Sequence, residues 1–214
     1  MLDYQKEFIQ YALDCGVLKF GEFKLKSGRT SPYFFNTGLF NSGETLGRLG
    51  QFYAQTLIAS KLDIDVLYGP AYKGIPLASA TSIAYSQLQH DLPFAFNRKE
   101  VKDHGEGGLI VGAALQGKVL IIDDVITAGT SVRESVEIIS TMGAEPAGVL
   151  IALDRQEKGE KESSAVQEVS KQFNIPVLSI ISLPHIIEFL EQQGHAAGAL
   201  ETIKQYRLKY GVEY

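Results

Sequence analysis

The sequence predicts an α/β fold with a doubly wound, mainly parallel sheet of five strands. Five short runs of apolar, largely β-branched residues are typical of buried strands, at 66–68, 94–96, 119–122, 147–153 and 177–181. Most of these runs alternate with stretches of helical spacing, which is typical of parallel sheets. Polar or glycine-rich loops follow the first four runs. Such loops converge at one edge of an open parallel sheet, so we expect a binding crevice there.

The predicted helices have apolar residues every three to four positions. They span 2–14, 42–59, 77–89, 132–142, 164–173, 184–192 and 196–210. Between the first two helices, the alternation of Phe23 and Leu25 with charged residues, a turn at 27–32 and a strand at 33–36 indicate a β-hairpin. We therefore expect a single domain, in which a helix and hairpin at about 1–41 form a hood on an α/β core at about 42–214.

Composition excludes several classes of protein. The chain has 214 residues and a net charge of −5, so its global charge gives no support to nucleic-acid binding. No apolar run approaches the roughly 18 residues of a membrane span, and the N-terminal residues lack the apolar core of a signal peptide. Cys15 is the single cysteine, which excludes an internal disulfide and a cysteine-rich metal site. We expect a cytoplasmic protein that binds neither membranes nor nucleic acid.

Residues 119–131 organise the chain. A buried strand ends at the adjacent carboxylates Asp123 and Asp124, and a small, hydroxyl-rich loop with one glycine leads into a helix. The backbone N–H groups of such a loop, together with a helix N-terminus, form a phosphate site. The carboxylates suit sugar hydroxyls or a hydrated Mg²⁺. The segment therefore indicates a sugar-phosphate site, and the alternative is a solvated Asp pair with an ordinary helix cap.

Two further loops carry positive charge. Residues 69–76 place Lys73 in a tight turn before a helix, which indicates a second anion site, for a diphosphate. The loop at 97–108 is rich in glycine and too polar for the core, and it carries Arg98, Lys99, Lys102 and His104. We expect this loop to be a lid over a polyanion. The alternatives are a structural turn for the first loop and a solvated surface loop for the second.

Arg155 follows the strand at 147–153, at the edge where ligands bind. Its guanidinium suits a bidentate contact with a carboxylate, although a surface ion pair with Asp154 or Glu157 is an equally simple interpretation.

The hairpin carries three further candidates. Phe34 and Phe35 are adjacent in a strand and must face opposite ways, so that one can join the core while the other meets a ligand ring. Lys26 lies just before the turn. Core packing for the aromatic pair and a solvated strand edge for the lysine are the alternatives.

The residue types that are missing also narrow the chemistry. No Ser/His/Asp or Cys/His nucleophile set is recognisable, and no Walker-type lysine follows the glycine loop. Two anion loops flanking two carboxylates instead suit a substrate with a phosphate, hydroxyls and a diphosphate, and 5-phosphoribosyl 1-diphosphate (PRPP) fits. Cleavage at ribose C1 builds positive charge on the sugar and negative charge on the diphosphate. It therefore requires carboxylates near the ribose, and cations plus Mg²⁺ at the leaving group.

Residues 121–131 resemble the PRPP-binding motif of the type I phosphoribosyltransferases, whose fold they imply. A closer resemblance covers nearly the whole chain. Only the residues after about 179 carry no recognisable part of it. It rests on the strings at 26–28, 31–36, 69–76, 97–100, 102–107 and 153–157, which are similar to those of the bacterial orotate phosphoribosyltransferases.

This resemblance implies a role for each candidate residue. Orotate would bind at Phe34 and Phe35, with its carboxylate near Arg155 and a further contact at Thr127. Asp123 and Asp124 would hold the ribose hydroxyls and stabilise an oxocarbenium ion. The 5-phosphate would lie in the loop formed by Val125, Ile126, Thr127, Ala128, Gly129, Thr130 and Ser131. The remaining PRPP contacts would come from Lys26, Tyr72, Lys73, Arg98, Lys99, Lys102 and His104.

The implied reaction is displacement of diphosphate by an orotate ring nitrogen, which gives orotidine 5′-phosphate in pyrimidine biosynthesis. Lys99, Lys102 or His104 would neutralise or protonate the leaving group, and Mg²⁺ would bind through PRPP and water near Asp123 and Asp124. The resemblance also implies a homodimer in which the lid at 97–108 reaches the neighbouring subunit's site.

Two alternatives remain. A phosphoribosyltransferase for another base is disfavoured by Arg155 and the Phe34–Phe35 pair, which an acid-bearing base explains. A non-catalytic regulator that senses PRPP is disfavoured by the net charge of −5 and by the lack of a recognisable DNA-binding module.

Overall fold

The computed structural model describes residues 1–25, 27–102, 108–159, 162–193 and 197–213. Its helices are α1 Asp3–Asp14, α2 Gly43–Ser60, α3 Gly74–Gln87, α4 Thr130–Thr141, α5 Ala165–Phe173, α6 Leu183–Gln193 and α7 Ala197–Tyr210. Its strands are β1 Leu18–Lys24, β2 Thr30–Phe35, β3 Val66–Gly69, β4 Phe94–Lys102, β5 Gly108–Gly112, β6 Lys118–Ile122, β7 Glu145–Asp154 and β8 Val177–Ser182. Among the described helices, none combines the length and apolar character needed to cross a membrane.

The main sheet has the order β5-β4-β3-β6-β7-β8 in the described part of the chain. The strands from β4 to β8 in this order pair in parallel, which confirms the predicted doubly wound α/β fold. The predicted number of five strands was wrong, because β5 adds a sixth strand, antiparallel to β4, at one edge.

The segment predicted as a loop at 97–108 is largely a strand pair. β4 continues to Lys102 and β5 begins at Gly108, with Asn97 opposite Ile110 and Lys102 opposite Gly108. This edge ribbon is stabilised by backbone pairing and is not deeply buried. Its sequence therefore lacks the alternation of apolar and polar residues that predicts a strand. The rest of the predicted lid, at 103–107, lies outside the described residues.

Three element boundaries also differ from the prediction. β2 begins at Thr30, inside the predicted turn, because Thr30 and Ser31 already pair with β1. α3 begins at Gly74 and α4 at Thr130, earlier than predicted. Glycine and hydroxyl residues are poor signals of a helix interior, yet they suit a first turn.

Strand β6 lies at the centre of the core. Leu120 and Ile122 face one apolar cluster and Val119 and Ile121 the other, and all four side chains are fully buried. Burial of each such side chain contributes roughly 1.5–3 kcal/mol. The strand is therefore packed on both faces, and this packing fixes the position of the residues that follow it.

The hood packs on the core through aromatic rings. The Phe8 ring of α1 lies 6.3 Å from Phe35 of β2 and 5.1 Å from Phe52 of α2, between ring centroids. β1 and β2 form a separate antiparallel sheet. This packing carries β2, and the 3₁₀ turn Thr37–Leu39 that follows it, to the carboxyl-terminal edge of the main sheet.

Candidate active site

Asp123 and Asp124 follow β6 directly, and their backbone is still held by β7. Asp123 N donates to Leu150 O over 3.1 Å, and Ala152 N donates to Asp124 O over 2.8 Å. The Tyr53 hydroxyl donates to Asp123 O over 2.8 Å. The carboxylates also accept local N–H groups, since Asp124 N donates to Asp123 Oδ1 and Val125 N to Asp124 Oδ1. The predicted pair is therefore rigid and nearly buried.

Burial raises the pKa of the Asp123 carboxyl, and the neighbouring Asp124 carboxylate adds to the increase. Hydrogen bonds from the Asp124 backbone and the Ser131 side chain oppose this effect on the pKa. A buried carboxylate that already receives such donors is suited to stabilise positive charge that develops close to it.

The loop between β6 and α4 contains the predicted phosphate cradle. Thr127, Ala128 and Thr130 are exposed at its surface, and α4 begins at Thr130. Gly129 adopts a left-handed φ of 71°, and a Cβ atom there would lie 2.9 Å from Val169 Cγ2. Glycine therefore allows the chain to turn into α4 while the unpaired N–H groups of the first turn point outward, as an anion site requires.

The turn between β3 and α3 is built on two close backbone approaches. A Cβ on Gly69 would lie 2.1 Å from Gly74 O, and a Cβ on Gly74 would lie 2.8 Å from Ile122 O. Ala71 N donates to Asn97 Oδ1 over 2.9 Å, which ties the turn to β4. These approaches bring the N-terminus of α3 against the end of β6.

Lys73 joins this turn to the carboxylates. Its Nζ donates to Asp124 Oδ2 over 2.6 Å, and Thr37 Oγ1 donates to the same oxygen over 3.0 Å. The Lys73 side chain is 64% exposed, so its ammonium has further donors directed toward solvent. The ion pair was not predicted, but it brings the two predicted anion loops together.

Three of the other predicted cations, Arg98, Lys99 and Lys102, belong to β4 of the β4–β5 ribbon. Tyr72 is 72% exposed, and Lys99 Nζ lies 5.9 Å from the centre of its ring. Arg98 Nη1 donates to Gly108 O over 3.1 Å, across the ribbon. Lys102 ends β4. Lys26 and His104 lie outside the described residues.

Arg155 follows β7 and belongs to a buried network. Its Nε donates to Glu157 Oε1 over 2.9 Å, and its Nη2 lies 2.7 Å from the same oxygen and 3.0 Å from Ser31 Oγ. The guanidinium carbon stands 4.2 Å from the centre of the Tyr33 ring. The ion pair with Glu157, which was the alternative interpretation of Arg155, is therefore present. It is half-buried and not at the open surface.

Phe34 and Phe35 face opposite ways, as predicted. Phe35 packs in the core against Phe8, whereas Phe34 is 39% exposed and stacks on Phe23 at 5.4 Å between ring centroids. Neither ring belongs to the network of Arg155, which meets the hairpin at Ser31 and Tyr33 instead.

Several residues of the site escaped sequence reasoning. They are Thr37, Tyr53, Asn97 and Tyr206, together with Glu157, which was expected only as an alternative ion-pair partner of Arg155. Asn97 and Glu157 stand within the strings that carry the family resemblance, so those strings could have drawn attention to them. The other three contact the site from distant segments and leave no local signal.

The carboxylates fit Mg²⁺ only in combination with a substrate. Among the described residues, no cluster of three or more His, Cys, Asp or Glu side chains could hold a metal ion. Mg²⁺ is usually held by one or two carboxylates, waters and substrate phosphates. Asp123 and Asp124 are a donor set of that kind, beside an anion loop.

The parallel sheet, the carboxylate pair at its edge and the phosphate loop that follows define a phosphoribosyltransferase. In agreement, a family model described as "Phosphoribosyl transferase domain" matches residues 41–179. An orotate phosphoribosyltransferase of Marinobacter nauticus is 61% identical over 99% of this chain and 100% of its own length. One of Pseudomonas aeruginosa is 59% identical over 99% and 100%. The chain belongs to the orotate phosphoribosyltransferase family.

A solved structure extends the similarity to three dimensions. The crystal structure of the orotate phosphoribosyltransferase of Francisella tularensis has a TM-score of 0.88 and 47% sequence identity, and the match covers 96% of this chain and 99% of that one. The similarity therefore includes the hood and the C-terminal helices as well as the family domain.

Proposed function

We propose that this protein transfers the 5-phosphoribosyl group of PRPP to orotate, which gives orotidine 5′-phosphate and diphosphate in pyrimidine biosynthesis. The contact of Lys73 with Asp124 carries the proposal, because it places the two anion loops on either side of one carboxylate pair. That spacing suits a sugar with a phosphate at one end and a diphosphate at the other. Arg155, at the end of β7, supplies the cation for an acid-bearing base.

PRPP would lie along the carboxyl-terminal edge of the sheet. Its 5-phosphate would accept from the N–H groups of the loop 125–131, and its ribose hydroxyls would donate to Asp123 and Asp124. The diphosphate would lie at Tyr72 and Lys73, whose exposed side chains project from the start of α3. Lys26, the cations Arg98, Lys99 and Lys102 of β4, and His104 complete the proposed PRPP site.

The reaction exchanges one bond at ribose C1. The C1–oxygen bond breaks and its electron pair leaves with diphosphate, while an orotate ring nitrogen forms the new bond to C1 and loses its proton. Asp123 and Asp124 stabilise the positive charge that develops on the ribose. Lys99, Lys102 or His104 neutralises or protonates the leaving group. Because orotate is already an anion with an acidic ring N–H, no strong protein base is required, and the ring proton passes to water or to the departing diphosphate.

Orotate would bind between the hairpin and the end of β7. Arg155 would hold its carboxylate, the hairpin residues Phe34 and Phe35 would contact its ring, and Thr127 would add a polar contact. The exposed Phe34 ring and the half-buried Arg155 fork support this placement.

Four further features belong to the proposal. Mg²⁺ would bind through PRPP oxygens and water near Asp123 and Asp124, where it neutralises diphosphate charge. The hood and core act as one domain, and two copies form a dimer in which the lid at 97–108 serves the neighbouring site. We place the enzyme in the cytoplasm, a location compatible with a lone cysteine.

A spectrophotometric assay tests the function. Orotate should be consumed only when both PRPP and Mg²⁺ are present, and uracil in place of orotate should be inert. Turnover of uracil at a similar rate would indicate another base, and binding of PRPP without turnover of either base would favour a regulator.

A further inference from the structure

Glu157 is a half-buried carboxylate for which the proposed mechanism has no use. Its side chain is 11% exposed. Oε1 accepts from Arg155 Nε and, over 3.0 Å, from the Tyr33 hydroxyl, while Oε2 accepts from the Tyr206 hydroxyl over 3.1 Å. We propose that Glu157, held by Tyr33 and Tyr206, is a positioning residue that orients Arg155 for the orotate carboxylate. The proposal rests on the function proposed above.

Contacts on one edge and one face fix the orientation of the Arg155 guanidinium. The edge formed by Nε and Nη2 is engaged by Glu157, and Nη2 also donates to Ser31 Oγ. The Tyr33 ring covers one face of the guanidinium. The Tyr206 hydroxyl, which donates to Glu157, also interacts with Arg155. Because the guanidinium is planar, fixing one edge and one face also fixes the direction of the Nη1 donors.

Glu157 also weakens the attraction of Arg155 for a carboxylate while it fixes the geometry of the Arg155 side chain. Its charge offsets that of Arg155, so the pair attracts a carboxylate less strongly than a lone arginine would. In return, Arg155 needs little reordering when orotate binds, which lowers the entropic cost of the contact. Burial raises the pKa of Tyr206 to about 12 and that of Tyr33 well above its ordinary value, so both hydroxyls remain donors to Glu157 near neutral pH.

Backbone contacts hold the Glu157 segment from both sides. Lys158 N donates to Tyr210 O over 2.8 Å, and Val212 N donates to Gln156 O over 2.9 Å. From the hairpin, Arg29 Nη1 donates to Lys158 O over 2.7 Å. The segment after β7 is therefore clamped between the hood and the end of α7.

The extent of the family domain supports a role in base recognition. The phosphoribosyltransferase model spans residues 41–179 and so includes Arg155 and Glu157. Ser31, Tyr33 and Tyr206 all lie outside it. Ser31, Tyr33 and Tyr206, which contact Arg155 and Glu157, thus lie outside the segment that the phosphoribosyltransferase model describes, as a device for one particular base requires.

Steady-state kinetics on two variants test the inference. Tyr206→Phe removes one hydrogen bond from an uncharged donor to Glu157 and should raise the KM for orotate about three- to tenfold. Glu157→Gln removes a charge-assisted contact and should raise it about tenfold or more. The KM for PRPP should remain within about twofold, because no contact among the described residues joins the loops at 69–76 and 123–131 to this network. Tyr85→Phe, on α3 and remote from the network, is the matched control and should leave both constants unchanged.

The outcomes separate the inference from the proposed function. If Arg155→Ala leaves the KM for orotate unchanged, the proposed orotate site fails, and the inference fails with it. If Arg155→Ala raises this constant while Glu157→Gln and Tyr206→Phe do not, the inference alone is overturned. A lower KM for orotate in Glu157→Gln would mean that Glu157 competes with the substrate. Parallel changes in both KM values and in Tm would mean a purely structural role.

Discussion

The phosphate loop of the proposed PRPP site and the Arg155 network of the proposed base site are held together in different ways. Bonds between close neighbours shape the phosphate loop, such as Val125 N to Asp124 Oδ1 and Arg133 N to Gly129 O. In the network, Arg155 reaches Ser31 across 124 positions and Glu157 reaches Tyr206 across 49. The loop therefore depends mainly on local backbone conformation, and the network depends on how the hood, β7 and α7 pack.

This difference separates the effects of substitution at the two ends. A change in a PRPP loop, other than at Thr127, should alter catalysis or PRPP binding and leave the affinity for orotate nearly unchanged. A change in the network around Glu157 should do the reverse. Kinetic constants for the two substrates therefore report on the two ends separately.

The largest effect is expected at Asp124. Asp124→Asn removes the charge that pairs with Lys73 and that faces the proposed ribose site, so kcat/KM for PRPP should fall by about 10²-fold or more. Steady-state kinetics at saturating orotate measure this. Asp63→Asn is the control, because Asp63 also pairs with a lysine, Lys118, but at the exposed surface, where such a pair contributes little. A similar loss in both variants would contradict a special role for Asp124.

A smaller effect is expected at Gly129. An alanine there must adopt a φ of 71° and lies against Val169, so Gly129→Ala should raise the KM for PRPP about tenfold and destabilise the fold by about 1 kcal/mol or more. Gly143→Ala is the matched control, since Gly143 has a φ of 78°, no neighbour within 4 Å of a Cβ, and a place at the far end of α4. Denaturant unfolding and PRPP kinetics should separate the two. An unchanged KM in Gly129→Ala would show that the phosphate does not require this turn.

The smallest effect concerns stability at Asp123. Because the folded state raises the pKa of this carboxyl, its charged form costs stability that increases as the pH rises through the folded pKa. Asp123→Asn should therefore raise Tm at pH 7 by roughly 2–4 °C, although it impairs catalysis. The gain should vanish below about pH 4, where the aspartate is protonated in both the folded and unfolded states. A lower Tm at pH 7 would mean that the hydrogen bonds to the carboxylate outweigh its burial.

The sequence predicts β3, β6 and β7 well, because these strands are largely buried on both faces and give continuous apolar runs. It does not predict β5 or the extension of β4, since an edge ribbon of polar and glycine residues has no such run. The carboxylate pair and the phosphate loop are contiguous and therefore recognisable. The contact of Lys73 with Asp124 depends on β3 lying beside β6, and strand order cannot be read from spacing. Thr37 and Tyr206 reach their partners only through tertiary packing.

The clamp on the segment after β7 has an evolutionary consequence. If Glu157 orients Arg155 as proposed, changes at Ser31, Tyr33 and Tyr206 alter the recognised base while the chemistry at ribose C1 is inherited, because in the described part of the chain the loops at 69–76 and 123–131 share none of these contacts. When function is inferred between distant relatives from the motif at 121–131 alone, the inference then identifies the donor of the ribosyl group but not its acceptor. On this proposal, the identity of the acceptor depends on residues near both ends of the chain.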